Sequence, residues 1–301
     1  MRSKRSITPK KVLELWLKYA DFRKGQVSPS TFQRDYTKLT RRLERMKKLA
    51  PFLESAIEIR DWLLNQYAAE TARRTLVQLQ ACGNWAMESE LITANPFLGL
   101  PRQIRTKPAS DKAWAAFSIE ERDRIIEEFD RAAPFYAPWV KFLFWTGCRP
   151  EEAAALTWAH IAADGSEILF QDAVPVDTKI RQTTKSRKTT RFPCNRRLQL
   201  LLQVLRPSPM NREALVFTGV EGGYFDYKNF QTRHWRPTIN GLVEQGAIAF
   251  YLSQYHCRHT WITEALNHLS VADVSYLARV STTVLYEHYA GRSRKILVPE
   301  F

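Results

Sequence analysis

Three short segments, far apart along the chain, carry side chains suited to handling a phosphate ester. Phe144-Trp145-Thr146-Gly147-Cys148-Arg149-Pro150-Glu151-Glu152 sets an arginine directly after a glycine turn and before a proline-led helix start. Tyr255-His256-Cys257-Arg258-His259-Thr260-Trp261 embeds a second arginine among aromatic and imidazole groups. Tyr286-Glu287-His288-Tyr289-Ala290-Gly291-Arg292 places two tyrosines near the C-terminal end. Breaking a phosphodiester without a metal takes a nucleophile, cations against the charge growing on the phosphoryl oxygens, and an acid for the departing oxygen. A tyrosine can attack, a guanidinium stays charged and donates to two oxygens at once, and a lysine can release a proton. Lys179, Lys185 and Lys188, in the basic run up to Arg191, are the candidate lysines.

The elements that must position these groups fall into two sets. Over residues 10–95 apolar side chains recur at helical spacing, as in Val12, Leu13, Leu15 and Trp16 or Leu39, Leu43 and Met46, so four or five helices are expected. Breaks are expected around Ser28-Pro29, Ala50-Pro51 and Asn95-Pro96. Residues 102–112 are polar and read as a linker, followed by Ser118 and Glu121 at capping-box spacing. The resulting division is a helical domain at 1–105, a linker at 106–116 and a second domain at 117–301. Within the latter, 137–156 reads as a buried helix, a tight turn at Gly147 and a second helix. The β-prone runs Ile168-Leu169-Phe170, 181–184 and 189–192 suit a small antiparallel sheet, and helical pattern resumes after Asn195. The fold class is mainly α with a small antiparallel β-sheet.

Charge points to the partner. The formal net charge is +14, and most of it lies in the first third: residues 1–112 hold 22 Lys+Arg against 11 Asp+Glu. A basic surface of this kind favours a polyanion through counterion release. Cys82, Cys148, Cys194 and Cys257 are scattered without metal or disulfide spacing and are read as reduced. No long apolar stretch or signal-like start is seen, so a soluble, cytoplasmic protein without membrane contact is expected.

Taken together, T-G-x-R-x-x-E, the basic turn, R-H-T and the late tyrosines occur in the order that resembles the tyrosine recombinase (phage integrase) family. The resemblance covers almost the whole chain. It implies a helical core-binding (SAM-like) domain ahead of the catalytic domain, with 84–97 as the closing helix of the first. Because helical pattern begins by Lys10, no separate N-terminal arm-binding domain is expected.

Carried over one residue at a time, the resemblance implies that Arg149 and Arg258 clamp the scissile phosphate and that Glu152 supports the site. It gives Lys185, in the turn Thr184-Lys185-Ser186-Arg187-Lys188, the proton for the leaving 5′ oxygen. It favours Tyr289, 31 residues after Arg258, over Tyr286, 28 after it, as nucleophile. Tyr286, sharing a helix face with Tyr289, is expected to pack beside it. A phenol has a pKa near ~10 in water, so the site must help Tyr289 lose its proton.

Two positions depart from the family pattern. Tyr255 stands where the family has the first histidine of H-x-x-R, and Val280 stands at the later His/Trp position. Tyr255 can donate a hydrogen bond but is a poor base, and Val280 can do neither. His256, His259 and His288 are read first as structural, with any of them able to substitute; His259 is placed among the supporting residues.

The implied activity is site-specific DNA recombination or integration through a 3′-phosphotyrosyl intermediate, with no cofactor, metal or ATP. The implied partners are double-stranded DNA, a homotetramer on paired sites and accessory DNA-bending proteins, in a bacterial or phage setting at the nucleoid. Two alternatives stay open: a degenerate recombinase that binds DNA without turnover, and a relaxase like the type IB topoisomerases.

Overall fold

The structure, a computed structural model, describes residues 7–106, 114–183 and 189–289. Two compact units divide at Pro108 and Ala109.

The regular elements of the first unit, over its described residues, are all helices. Helix α1 (Pro9–Arg23) starts where Thr8 caps it and Pro9 occupies the first turn, whose N–H groups have no intrahelical partner anyway. The break expected at Ser28-Pro29 separates α1 from the next helix, which these residues start: the Ser28 hydroxyl accepts from the Thr31 N–H (3.2 Å) and Pro29 stands at N1. That helix runs from α2 (Pro29–Thr31) through a π-turn (Phe32–Tyr36) into α3 (Thr37–Leu49). α4 (Ala56–Gln66) and α5 (Ala69–Glu88) complete the set. Trp16, Leu39, Leu43, Met46, Ile59, Leu63 and Leu76 meet in one core, each essentially sealed from solvent. Opposite that buried face, α3 carries exposed Lys38, Arg41, Arg45 and Lys48 at spacings of three and four, one basic stripe along the helix.

The resemblance implied a closing helix over 84–97, and here the structure differs. α5 stops at Glu88, and the chain turns back through Asn95, whose amide donates to Gln80 O (2.8 Å) while its oxygen accepts from Phe97 N–H (2.9 Å). Gly83 makes this possible, since any Cβ there would collide with the Asn95 side chain. A proline after Asn95, where a break was expected, and a glycine opposite it close the unit with a turn in place of the longer helix that the resemblance implied.

The second unit opens with Ser118 and Glu121 exchanging hydrogen bonds as a capping box at the start of α6 (Ile119–Ala132). Apolar α7 (Ala137–Thr146) is buried on nearly every face, as its composition requires. It ends at Gly147 and is followed by the short α8 (Pro150–Ala153). The expected small sheet is two separate antiparallel ladders: β1 (Glu167–Phe170) pairs with β4 (Thr190–Pro193), and β2 (Asp172–Ala173) with β3 (Gln182–Thr183). Helices α9 (Arg196–Leu205), α10 (Tyr227–Phe230), α11 (Arg236–Glu244), α12 (His256–Ala265), α13 (Val271–Ala278) and α14 (Thr282–His288) follow. An aromatic core built on Trp139, Phe142, Phe170, Phe230 and Trp235 holds α7 against its neighbours. A smaller cluster of Ile262, Val274, Ala278, Leu285 and Tyr289 joins α12, α13 and α14. Among the described residues, no helix is long and apolar enough to cross a membrane. All four cysteines are buried and free.

Candidate active site

The site is assembled on the turn after α7. Gly147 ends that helix with φ +59°, the left-handed region that glycine adopts without steric cost. Arg149 then takes an extended conformation as the cap of α8, and Pro150 fills the first helical position. Glu152 folds back on this cap, accepting from the Arg149 N–H (2.8 Å) and from its guanidinium (2.8 Å). The spacing R-P-E-E is therefore a local device that aims Arg149 with a carboxylate only 2% exposed.

Arg258 reaches the same turn from α12. It is buried, donating through Nη1 to the Gly147 carbonyl (2.8 Å) and through Nη2 to the Ala278 carbonyl. Arg149 donates in turn to the Arg279 carbonyl (3.1 Å), and Arg279 to the Leu277 carbonyl (2.7 Å). Three consecutive carbonyls at the end of α13 thus each accept from one arginine. A helix C-terminus leaves its last carbonyls without intrahelical donors and carries partial negative charge, so it suits cations.

Arg279 was missed by sequence reasoning. It lies just past α13 with φ +54°, packs over the Phe170 ring (4.2 Å) and binds both Glu152 oxygens, one at 2.8 Å. Nothing in the one-dimensional pattern marks it, because its partner is 127 residues away. The only available signal was its place beside Val280, at the end of a short apolar helix. Val280 itself packs against the α12–α14 cluster, and its carbonyl accepts from Ser275 Oγ (2.7 Å). The position holds an apolar contact where the family pattern has a ring nitrogen.

Three guanidiniums around one buried carboxylate set the electrostatics. For Glu152, burial opposes the charged form, but Arg279, Arg149 and Arg258 outweigh it and hold the carboxyl at about 2. For Arg258, burial and then the neighbouring Arg149 push the guanidinium down to about 10, so it remains a cation at neutral pH. For Arg149 burial works downward, yet the Glu152 carboxylate and the Tyr255 phenol raise it above its ordinary value. The guanidiniums outnumber the buried carboxylate that compensates them, which favours an arriving anion.

The linkage has a definite sign. Because the Glu152 carboxyl is depressed when folded, its contribution to stability is complete above the unfolded carboxylate value and is lost as pH falls toward about 2. The urea-unfolding gap between the native chain and Glu152→Gln should narrow by about 2 kcal/mol from about pH 6 to about pH 3. Arg279→Met, which strands that carboxylate with fewer partners, should cost about 3–5 kcal/mol at neutral pH in the same measurement.

R-H-T uses each of its side chains on a different element. Arg258 turns to Gly147, Thr260 accepts from the Phe117 N–H (2.9 Å), and His259 is hydrogen-bonded through Nδ1 to the Tyr289 hydroxyl. Tyr289 sits just past α14 and is 2% exposed, caged edge-on by Trp114 at 5.7 Å. Tyr286 is 62% exposed and does not pack beside it. The helix ends between them, so the shared face inferred from spacing does not form. Tyr255, at 41% exposed, lies at the start of α12 with its ring 5.4 Å from that of His259.

Lys185 and Lys188 fall outside the described residues, and Lys179 pairs with Asp226 (3.4 Å). The tail 292–301 also falls outside them, as does most of the expected linker. Among the described residues no group of His, Cys, Asp and Glu is arranged to hold a metal ion.

Gly147 has no room for a side chain. A Cβ there would meet the Trp261 ring at 2.8 Å in a backbone conformation that already disfavours side chains. Gly147→Ala should destabilise the chain by about 3 kcal/mol, read as a lowered urea midpoint, because strain and overpacking add.

No protein-family model matches the sequence, and no curated protein does. Solved structures do match. The Tn1549 transposon integrase in complex with a circular intermediate DNA superposes with a TM-score of 0.75 at 16% identity, over 93% of this chain and 94% of that one. A lambda integrase dimer bound to a COC′ core site gives 0.66 at 12%, over 99% and 81%. A lambda integrase tetramer bound to a Holliday junction gives 0.65 at 12%, over 99% and 82%. Both integrases are tyrosine recombinases, and with the mainly helical architecture and small antiparallel ladders described above, this chain has the tyrosine recombinase fold.

Proposed function

We propose that this chain is a site-specific DNA recombinase of the integrase type, cutting and rejoining strands through Tyr289. The observation that carries the reading is the gathering of Arg149 and Arg258, from distant segments, onto the Gly147 turn and the end of α13, with Tyr289 bonded to the residue next to Arg258. In this mechanism the two arginines hold the scissile phosphate and stabilise its developing charge. Glu152 and Arg279 fix the direction of Arg149. The Tyr289 oxygen attacks phosphorus, a 3′-phosphotyrosyl bond forms, and the 5′ oxygen leaves with a proton from Lys185. The bond energy stays in the phosphotyrosyl ester, so rejoining needs no ATP. Tyr255 assists as a hydrogen-bond donor at the mouth of the site.

The partner is double-stranded DNA. The first unit, up to about residue 105, contributes the basic stripe of Lys38, Arg41, Arg45 and Lys48 on α3 as a phosphate-contacting face. A homotetramer on paired sites, with 292–301 exchanged between subunits and DNA-bending accessory proteins assisting, is the working assembly at the nucleoid.

The test uses duplexes from the ends of the DNA element that carries the gene, each nicked so that cleavage releases a short fragment. An adduct that survives detergent, forms without ATP and maps to Tyr289 is the expected result. Sequence-specific binding without adduct would select a non-catalytic DNA-binding protein instead. Relaxation of any supercoiled plasmid regardless of sequence would select a relaxase.

A further inference from the structure

We propose that His259 is a catalytic residue whose Nδ1 takes the phenolic proton of Tyr289 as the phenol oxygen bonds to phosphorus. The inference rests on the strand-transfer reading above and adds the group that activates the nucleophile.

The two positions where the family pattern holds a proton-handling ring are Tyr255 and Val280, an exposed phenol and an aliphatic side chain. Neither is a base at neutral pH, so the proton needs another acceptor. Of the three neighbouring histidines, His259 is the one whose hydrogen bond to the nucleophile is seen among the described residues. His256 turns its Nδ1 to Ser253 Oγ (3.0 Å), and His288 lies flat on Trp114 at 3.7 Å with Glu287 beside it (3.8 Å). His259 Nδ1 is hydrogen-bonded to the Tyr289 hydroxyl.

The pair is held from several elements. Tyr255 and His256 face the His259 ring from its own helix at 5.4 and 5.1 Å, and Trp114 meets it edge-on at 5.2 Å. Thr260, the next residue, anchors the segment carrying Trp114 through Phe117. A side chain fixed on a rigid helix and in contact with the reacting oxygen satisfies the geometric requirement for a general base.

Its protonation state is suitable as well. Burial, then His256, Arg258 and His288, push the imidazole down to about 3, so it is neutral and able to accept. An imidazole held so low is a weak acceptor while the site lacks an anion. Burial is the larger cause and stays, but a phosphodiester between Arg149 and Arg258 offsets the part that comes from the neighbouring positive groups, so basicity rises when substrate is bound. In the step itself the O–H bond of Tyr289 breaks and its proton moves to Nδ1. The tyrosyl oxygen–phosphorus bond forms, and the phosphorus–O5′ bond breaks with the lysine proton passing to O5′. Rejoining reverses each transfer, with His259 returning the proton to Tyr289.

His259→Asn decides the matter, because an amide oxygen near the place of Nδ1 keeps the hydrogen bond and removes the basicity. With nicked suicide duplex in excess, adduct formation should slow on the order of 10²–10³-fold while DNA binding by gel shift stays within a few-fold. A more acidic nucleophile should then need less help: Tyr289→difluorotyrosine in the His259→Asn background should recover at least about tenfold of the rate, a relief that a positioning role would not produce. His259→Gln, run beside it with a thermal melt, separates loss of fold from loss of base. A His259→Asn rate within about threefold of native, or a folded, DNA-binding variant that the acidic tyrosine does not rescue, overturns the role of His259 and leaves the recombinase reading standing. A native chain that binds its DNA and forms no adduct overturns both.

Discussion

Tyr289→Phe is expected to abolish the covalent adduct, lowering its rate on the order of 10⁴-fold or more, while Tyr286→Phe leaves it within a few-fold. The two side chains lie three residues apart in the sequence but occupy opposite environments. Tyr289 is sealed against Trp114 and bonded to His259, whereas Tyr286 is open to solvent on α14. Replacing the hydroxyl by hydrogen removes the attacking atom and leaves the ring packing of the α12–α14 cluster in place. The Phe variant should therefore keep its fold and its DNA affinity. Adduct persisting in Tyr289→Phe, mapped by peptide sequencing to another residue, would rule out Tyr289 as nucleophile.

Arg258→Ala carries the second large effect, a fall on the order of 10³–10⁵-fold in single-turnover cleavage. The guanidinium has two tasks that no smaller side chain performs. It donates to the Gly147 and Ala278 carbonyls, tying the α7 turn to the end of α13, and in the proposed reaction it contributes charge where the phosphoryl oxygens arrive. Truncation leaves both buried carbonyls short of a donor, at about 1–3 kcal/mol each, so a lowered urea midpoint should accompany the catalytic loss. Arg258→Lys separates these tasks. An ammonium restores a charge but cannot span two carbonyls and a phosphate in one plane, so stability should recover more than rate. Equal recovery of both, in urea titration and single-turnover assays, would mean that charge alone is what the position supplies.

Much of the candidate site could be read from residue order. T-G-x-R-x-x-E is a local construction: glycine ends a helix in the left-handed region, proline starts the next, and the glutamate three residues on reaches back to the arginine. The capping box at Ser118 and the buried character of 137–146 are equally local, which is why periodicity and cap residues located them. Arg258 and Tyr289 were legible because their neighbours form recognisable strings, though not because anything in one dimension says that they meet. The basic character of residues 1–112 likewise needs only counting.

Other features escaped for the opposite reason. Gly83 opposite Asn95 replaces an expected helix by a turn, an outcome of close approach between residues that share no periodic pattern. Tyr286 and Tyr289 have helical spacing, yet α14 ends between them and only one is buried.

The amino-acid sequence by itself determined the helices, their caps, the glycine turn and the identity of the charged and phenolic groups, since each depends on residues within a turn or two of one another. Only the tertiary structure decided that Arg279 would share Glu152 with Arg149, that three carbonyls ending α13 would each receive one arginine, and that His259 would be the imidazole bonded to Tyr289. Those outcomes depend on how α12, α13 and α14 pack against the α7 turn, and packing is set by the shape of the whole core rather than by any segment of it.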